Sequence, residues 1–348
     1  MYGITTLVTL LAAVSTVSAL PRFVRRQGNG STIAIKGAAA GGVNWRKEIN
    51  SLQQDADTWN IYLLALQKFQ SMDSSDPMSW FQIAGIHGQP YVTWDGVDQC
   101  SNCTASGYCT HSSTLFPTWH RGYMALFEQS LTTNAMAAAN EFSGDDQTKY
   151  VAAATALRAP YWDWAQPIPD GDSPFPNIFT ADTVSVVTPS GQQDIPNPLL
   201  QYSFNGDTSG MNVQSTTQRN PTFTTQSRQG LRDQLWTALS SQESYNGFST
   251  EALMNGDNNQ ASLEAVHDQV HVQTGGDMTD PAVAAFDPVF WLHHAMVDHV
   301  LELYIQAWPS SWLEPWSEVG HTMTYATGTM EDAGSALAPF HSSTVGDF

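Results

Sequence analysis

Residues 262–307 read SLEAVHDQVHVQTGGDMTDPAVAAFDPVFWLHHAMVDHVLELYIQA. His267 and His271 stand four residues apart, and at about 3.6 residues per turn both imidazoles fall on one helix face. Ser262 is placed to cap that helix, and Glu264 puts a negative charge in its first turn, where the backbone dipole favours one. Gly275-Gly276 ends it. Asp287-Pro288 opens a second helix, with Asp as the cap, Pro at the first helical position and His294 in the second turn. Two helices that offer three histidines between them have the geometry of a metal site in a bundle core.

The other half of such a bundle lies upstream. Residues 46–72 carry Trp59, Leu63, Leu66 and Phe69 as a helical stripe, and a short apolar segment from Trp80 to Ile86 leads to His87. Residues 88–117 form a Gly-, Ser-, Asp-, Cys- and Pro-rich loop, long enough to suggest a functional role, and it contains His111. Pro117-Thr118 then introduces a helix expected over Trp119–Phe142, with Thr118 as cap, His120 in the first turn and Met124, Phe127 and Leu131 as its apolar stripe. The aromatic run RAPYWDWA (158–165) follows, then loops with short strands to about Ser227, and helical patterning from about Gln229 to Leu239. Six of the ten histidines thus fall into two groups, His87, His111 and His120, and His267, His271 and His294. The expected fold is mainly α, a central four-helix bundle framed by long loops and a few short strands. Imidazole-only ligation points to copper, zinc, iron or nickel, and the lack of carboxylates in the set weakens iron. Two facing three-histidine sites suggest a dinuclear copper site able to bind dioxygen between the ions.

The 348 residues are 41% hydrophobic with 12 Trp, a globular composition with enough chain for a large core. A formal charge of −20 argues against nucleic acid or an anionic membrane as partner. Residues 1–19 read as a secretory signal peptide, with an apolar run too short to span a bilayer and Val17-Ser18-Ala19 as cleavage site. Residues 20–39 read as a pro-segment or linker with a dibasic Arg25-Arg26, and residues 40–348 as one copper-binding domain. The expectation is an extracellular protein. Three cysteines, Cys100, Cys103 and Cys109, cannot all pair with one another, and Asn29 and Asn102 head glycosylation sequons.

HSSTLFPTWHRGYMALFEQSL, RAPYWDWA, LEAVHDQVHVQTGG and DPVFWLHHAMVD resemble the motifs of the tyrosinase and catechol oxidase family, the type-3 copper proteins, in a short form of fungal type. RKEINSL, FQIAGIHG and LAPFH fit as well, so the resemblance covers about residues 40–348. It implies that His87, His111 and His120 bind one copper and His267, His271 and His294 the other. It further implies a polyphenol oxidase that uses O2 to turn o-diphenols, and in some members monophenols, into o-quinones. His293 is expected beside the site, since one of two adjacent helical residues faces a given metal. Phe290 and Trp291 are expected to pack against the pair, while His321 and His341 are taken as ordinary histidines. In fungal and plant relatives a cysteine at the place of Cys109 forms a thioether to the following histidine. The same bond is implied here between Cys109 and His111, leaving Cys100 and Cys103 to pair. The alternative joins Cys109 to one of those two.

Asp268 stands where many tyrosinases have Asn. With Glu264 it could hold the water that takes the proton of a monophenol, or it could accept from a histidine N–H. Met296 and His299 stand where the family usually has Asn and Arg, a change expected to remove an ion pair with Asp298 or a neighbour. The chain stops soon after Pro339-Phe340, which suggests a site open without removal of a C-terminal shield. Three rival readings remain, and one of them, a secreted structural protein with inert histidines, requires both triads to be coincidence. A zinc hydrolase would use HDQVH as HExxH, but it leaves the first triad unexplained and puts Asp where Glu is the base. A non-enzymatic oxygen carrier would use the same copper pair.

Overall fold

The computed structural model describes residues 32–38, 41–100, 107–252, 259–319 and 325–342. The signal segment, Asn29, Asn102, Cys103 and His321 lie outside the described residues. Helices run α1 Ile49–Gln53, α2 Ala56–Gln70, α3 Trp80–Gly85, α4 Phe116–Ala139, α5 Gly144–Ala156, α6 Thr225–Ser241, α7 Tyr245–Ser249, α8 Leu263–Thr274 and α9 Pro288–Ala307. Strands occur only as pairs among the described residues: β1 (Ala34–Ile35) lies parallel to β6 (His341–Ser342), β2 (Thr183–Thr188) antiparallel to β3 (Gly191–Pro196), and β4 (Trp316–Ser317) antiparallel to β5 (Met330–Glu331). The fold is the expected mainly helical one. Folded structure begins earlier than residue 40, because β1 falls inside the stretch read as linker and ties it to the end of the chain.

The bundle is α2, α4, α8 and α9, with α4 packed on both α2 and α9, and α5 against the outer side of α2 and α4. Its floor is aromatic. Trp291 stacks on Phe127 at 4.1 Å and 8°, and Trp80 meets both edge-on. The Trp80 indole N–H donates to Phe286 O and that of Trp119 to Ala338 O, whereas the buried Trp291 Nε1 has no partner among the described residues.

Local chemistry explains where the helices begin and end. Residues 46–72 form two helices rather than one, because Asp55 leaves the helical path to cap α2, accepting from Thr58 N–H at 3.3 Å. The helix expected from Trp119 starts at Phe116. Thr118 is not its cap: its hydroxyl donates to Leu115 O, and Pro117 occupies the first turn, where no N–H is needed. His120 is therefore one turn deeper than the sequence suggests. Ser262 caps α8 through Ala265 N–H at 3.1 Å, and Asp287 caps α9 through Val289 N–H at 2.8 Å. Asp287 also pairs with buried Arg219 at 2.7 Å, which fixes the loops around Leu199 to the start of α9. Gly275 ends α8 at φ +72°, where an added Cβ would lie 2.5 Å from Asn220 O. The polar, alanine-rich α5 has no apolar stripe strong enough to announce it in the sequence.

Candidate metal centre

Six histidines meet at the centre of the bundle from different elements. His87 follows α3, His111 lies in the loop before α4, and His120 sits on α4; His267 and His271 come from α8 and His294 from α9. Their potential ligand atoms gather in two sets, each within 4.8 Å: His87, His111 and His120, and His267, His271, His293 and His294. The sets face each other. The rings of His120 and His294 stack at 4.5 Å and 18°, and those of His111 and His267 lie 5.9 Å apart at 25°.

Hydrogen bonds fix which nitrogen points inward. Nδ1 of His87 lies 2.6 Å from Pro281 O, Nδ1 of His120 2.8 Å from Phe116 O, and Nδ1 of His271 2.7 Å from Met278 O. A carbonyl only accepts, so each Nδ1 carries the proton and each Nε2 presents a lone pair. His87 and His120 turn those lone pairs toward each other at 3.4 Å. Nε2 of His294 lies 3.3 Å from that of His267 and 3.4 Å from that of His271. Two acceptors facing each other in a buried site need a cation between them, and neutral imidazole is a preferred ligand for copper and zinc. Burial holds all of these rings neutral. It pushes His87 down to about 3, partly opposed by the Pro281 carbonyl, and His111, His120, His267 and His294 well below their ordinary value, helped by one another's charge.

His293 is the fourth member of the second set. It is fully buried, stacks on His267 at 4.9 Å and 15°, and neither ring nitrogen has a hydrogen-bond partner among the described residues. The three Nε2 atoms at 3.3–3.4 Å belong to the other three, so His293 packs beside the site. Phe290 does as expected, with its ring 4.0 Å from His294 and 5.0 Å from His87. Trp291 is one step further off, in the aromatic floor. His341 lies by Asp95 at 3.9 Å, away from the site.

The two acids have distinct places. Asp268 accepts from His267 Nδ1–H at 2.9 Å and orients that ring, with its side chain 44% exposed. Glu264 is no solvated helix-start charge. It is 1% exposed, with Oε1 accepting from Ser112 N–H at 2.6 Å and Oε2 from Thr250 Oγ1 and Glu251 N–H. Burial and then the Asp268 charge push its carboxyl well up, against those donors. Glu264 thus fastens α8 to the loop that holds His111, whose neighbour Ser112 sits at φ +51°. No sequence pattern links Glu264 to Ser112, 152 residues away.

Cys109 is fully buried, and burial raises its thiol well above the ordinary value; Cys100 is disulfide-bonded. Asp298 does not lack a partner for want of an arginine at 299. Arg46 and Arg121 both reach it, and His299 instead stacks on Tyr161 at 4.9 Å.

Beside the histidines a cavity of about 320 Å³ is open to solvent, with His87, His111, His267 and His271 at its base and Val272, Thr279 and Pro281 among its walls. It is of a size to admit one substituted aromatic ring.

The family model described as the common central domain of tyrosinase matches residues 77–307. The chain is 36% identical to a tyrosinase of Neurospora crassa over 88% of its own length and 50% of that protein. It is 33% identical to polyphenol oxidase 2 of Agaricus bisporus over 90% of its length and 59% of that protein. A mushroom tyrosinase crystal structure holding latent and active forms together superposes with a TM-score of 0.78 at 33% identity, over 91% of this chain and 88% of that one. The chain spans about half the length of the curated relatives it matches, 50–59%. The matched domain contains all six converging histidines, and with more than half of its residues so matched the chain belongs to the tyrosinase family.

Proposed function

We propose that this chain is a dicopper polyphenol oxidase that uses dioxygen to oxidise o-diphenols to o-quinones, and that it is exported. The observation that carries the reading is the convergence of inward Nε2 lone pairs from two facing histidine triads beside an open cavity. His87, His111 and His120 would hold one copper and His267, His271 and His294 the other. Bound copper supplies the redox chemistry, activating dioxygen and accepting electrons from the phenol.

The protein's own part is orientation, exclusion of water and placement of protons. Pro281 O, Phe116 O, Met278 O and Asp268 Oδ1 fix four of the imidazoles by their Nδ1–H groups. Phe290 packs edge-on against His87 and tilted against His294, which keeps both rings in place. A catechol needs little help to lose its protons. A monophenol must first be deprotonated, and Asp268 Oδ2 together with the remaining lone pair of Glu264 Oε1 could hold a water for that step. Glu264 acts mainly through His111, by way of the Ser112 N–H. A Cys109–His111 thioether belongs to the same reading, and a His111-containing peptide two hydrogens lighter than its sequence mass would reveal it.

The test is oxygen uptake by the copper-loaded protein with a catechol and its matching monophenol, alongside copper quantitation. Two coppers per chain and uptake with the catechol are expected. Uptake with both substrates would extend the activity to monophenols. Two coppers and no uptake with either would overturn the oxidase reading in favour of oxygen carriage. Zinc in place of copper after purification without added metal would favour the hydrolase.

A further inference from the structure

The distribution of positive charge along the chain is uneven in a way that bears on the substrate. Residues 69–120 contain no Lys or Arg, and none occurs after Arg232. Among the described residues, the cavity beside the histidines is lined from these two stretches, by His87, His111 and Ser112 from the first and by residues between Glu251 and Pro281 from the second. Three of the lining residues are acids, Glu251, Glu264 and Asp268, and none of those among the described residues is a Lys or Arg. The arginines that border the two stretches are engaged elsewhere: Arg121 with Asp298, and Arg232 with Ala165 O.

We infer that the site selects phenols bearing a cationic substituent, such as an aminoalkyl chain, over phenols bearing a carboxylate. The inference rests on the phenol oxidase reading. A phenol that presents its hydroxyl to the histidines at the base of the cavity must direct a para substituent toward the mouth. There Asp268 is 44% exposed and Glu251 is partly exposed. Glu264 is enclosed by three donors, so Asp268 and Glu251 present the charge that a substituent meets. An ammonium group gains from both carboxylates without losing water entirely. A carboxylate finds like charge and no donor side chain of opposite sign, and the summed field of an acidic chain repels it during approach.

The experiment compares kcat/KM of the copper-loaded protein for 4-(2-aminoethyl)catechol, 3-(3,4-dihydroxyphenyl)propionate and neutral 4-methylcatechol. At low ionic strength the amine should exceed the propionate by on the order of tenfold or more, with the neutral catechol between. The gap should narrow as salt rises, since the screening length falls from ~10 Å at 0.1 M to ~3 Å at 1 M. Glu251→Gln should shrink the ratio. Val272→Lys, at a position 65% exposed on the cavity wall, should shrink it further or invert it. Equal kcat/KM for amine and propionate at all salt concentrations, with 4-methylcatechol turned over, would overturn the inference alone. Failure to turn over 4-methylcatechol would overturn the oxidase reading and the inference with it.

Discussion

The second triad stands on two regular helices, whereas the first is assembled from a turn, a loop and one helix. His267, His271 and His294 occupy rungs of α8 and α9, so the helix backbone sets their positions, while the partly exposed Asp268 orients the ring of His267 and Met278 O that of His271. His87 and His111 have no such frame. Their positions depend on Pro281 O, contributed from beyond α8, and on Glu264, which reaches across from α8 to Ser112. The first site is therefore held in shape by the elements of the second. The two halves are not independent modules, and damage to α8 should reach both.

Removal of a ligand is the most severe way to probe that asymmetry. His294→Ala and His120→Ala should each lower bound copper by one ion and abolish catechol oxidation, a larger loss than the ~10–100-fold expected of an outer partner. Copper quantitation and oxygen uptake check it. Retention of both ions in either variant would count against the assignment of that histidine.

Acid should come next, acting on the copper-free protein. Its buried rings stay neutral below the ordinary value of 6.5, with His87 held down to about 3, while the unfolded chain takes up protons there. The unfolded state then binds more protons, so stability falls as pH drops below 6.5, by up to ~1.4 kcal/mol per pH unit for each such histidine. Urea unfolding between pH 7.5 and 5 measures the slope. Copper bound to the native triads should raise stability across this range and leave the slope unchanged, because the rings that would hold it already carry no extra proton.

Asp268→Ala frees the ring of His267 and should weaken copper binding at the second triad by about 10–100-fold, leaving the first much less affected. Equal weakening at both sites in a chelator titration would contradict the separate outer partners assigned to them. Glu264→Gln tests the opposite dependence. The amide cannot accept from Ser112, Thr250 and Glu251 together without turning a donor toward one of them, at a cost of about 2 kcal/mol in stability. Its loss of copper should fall on the first triad, through His111. Asp298→Ala, which releases Arg46 and Arg121 on the partly exposed far side of α4 and α9, should cost only about 1 kcal/mol and leave copper content unchanged.

The same asymmetry governs how much could be read from the chain. His267, His271 and His294 were legible because helical periodicity and the caps Ser262 and Asp287 are local, and the structure reproduces each of them. The start of α4 was misplaced by three residues because Thr118 is a good capping residue whose hydroxyl is taken by Leu115 O, a choice set by how Phe116 is buried. The break at Asp55 lies just upstream of the apolar stripe from Trp59 to Phe69, where periodicity gives no sign of it. His87 and His111 drew attention only through their neighbours' motifs, since nothing local tells a ligand in a loop from any other buried histidine.

Sequence alone thus determined the helical class, the helix pair α8–α9 and the histidines grouped on it, because periodicity and capping act over a few residues. Only the tertiary structure decided that Glu264 holds Ser112 rather than facing solvent, that Asp298 is served by Arg46 and Arg121, and that His87 turns its Nδ1 to Pro281 O and its Nε2 inward. Those outcomes depend on groups between 152 and 252 residues apart, whose contact is fixed by how the helices pack.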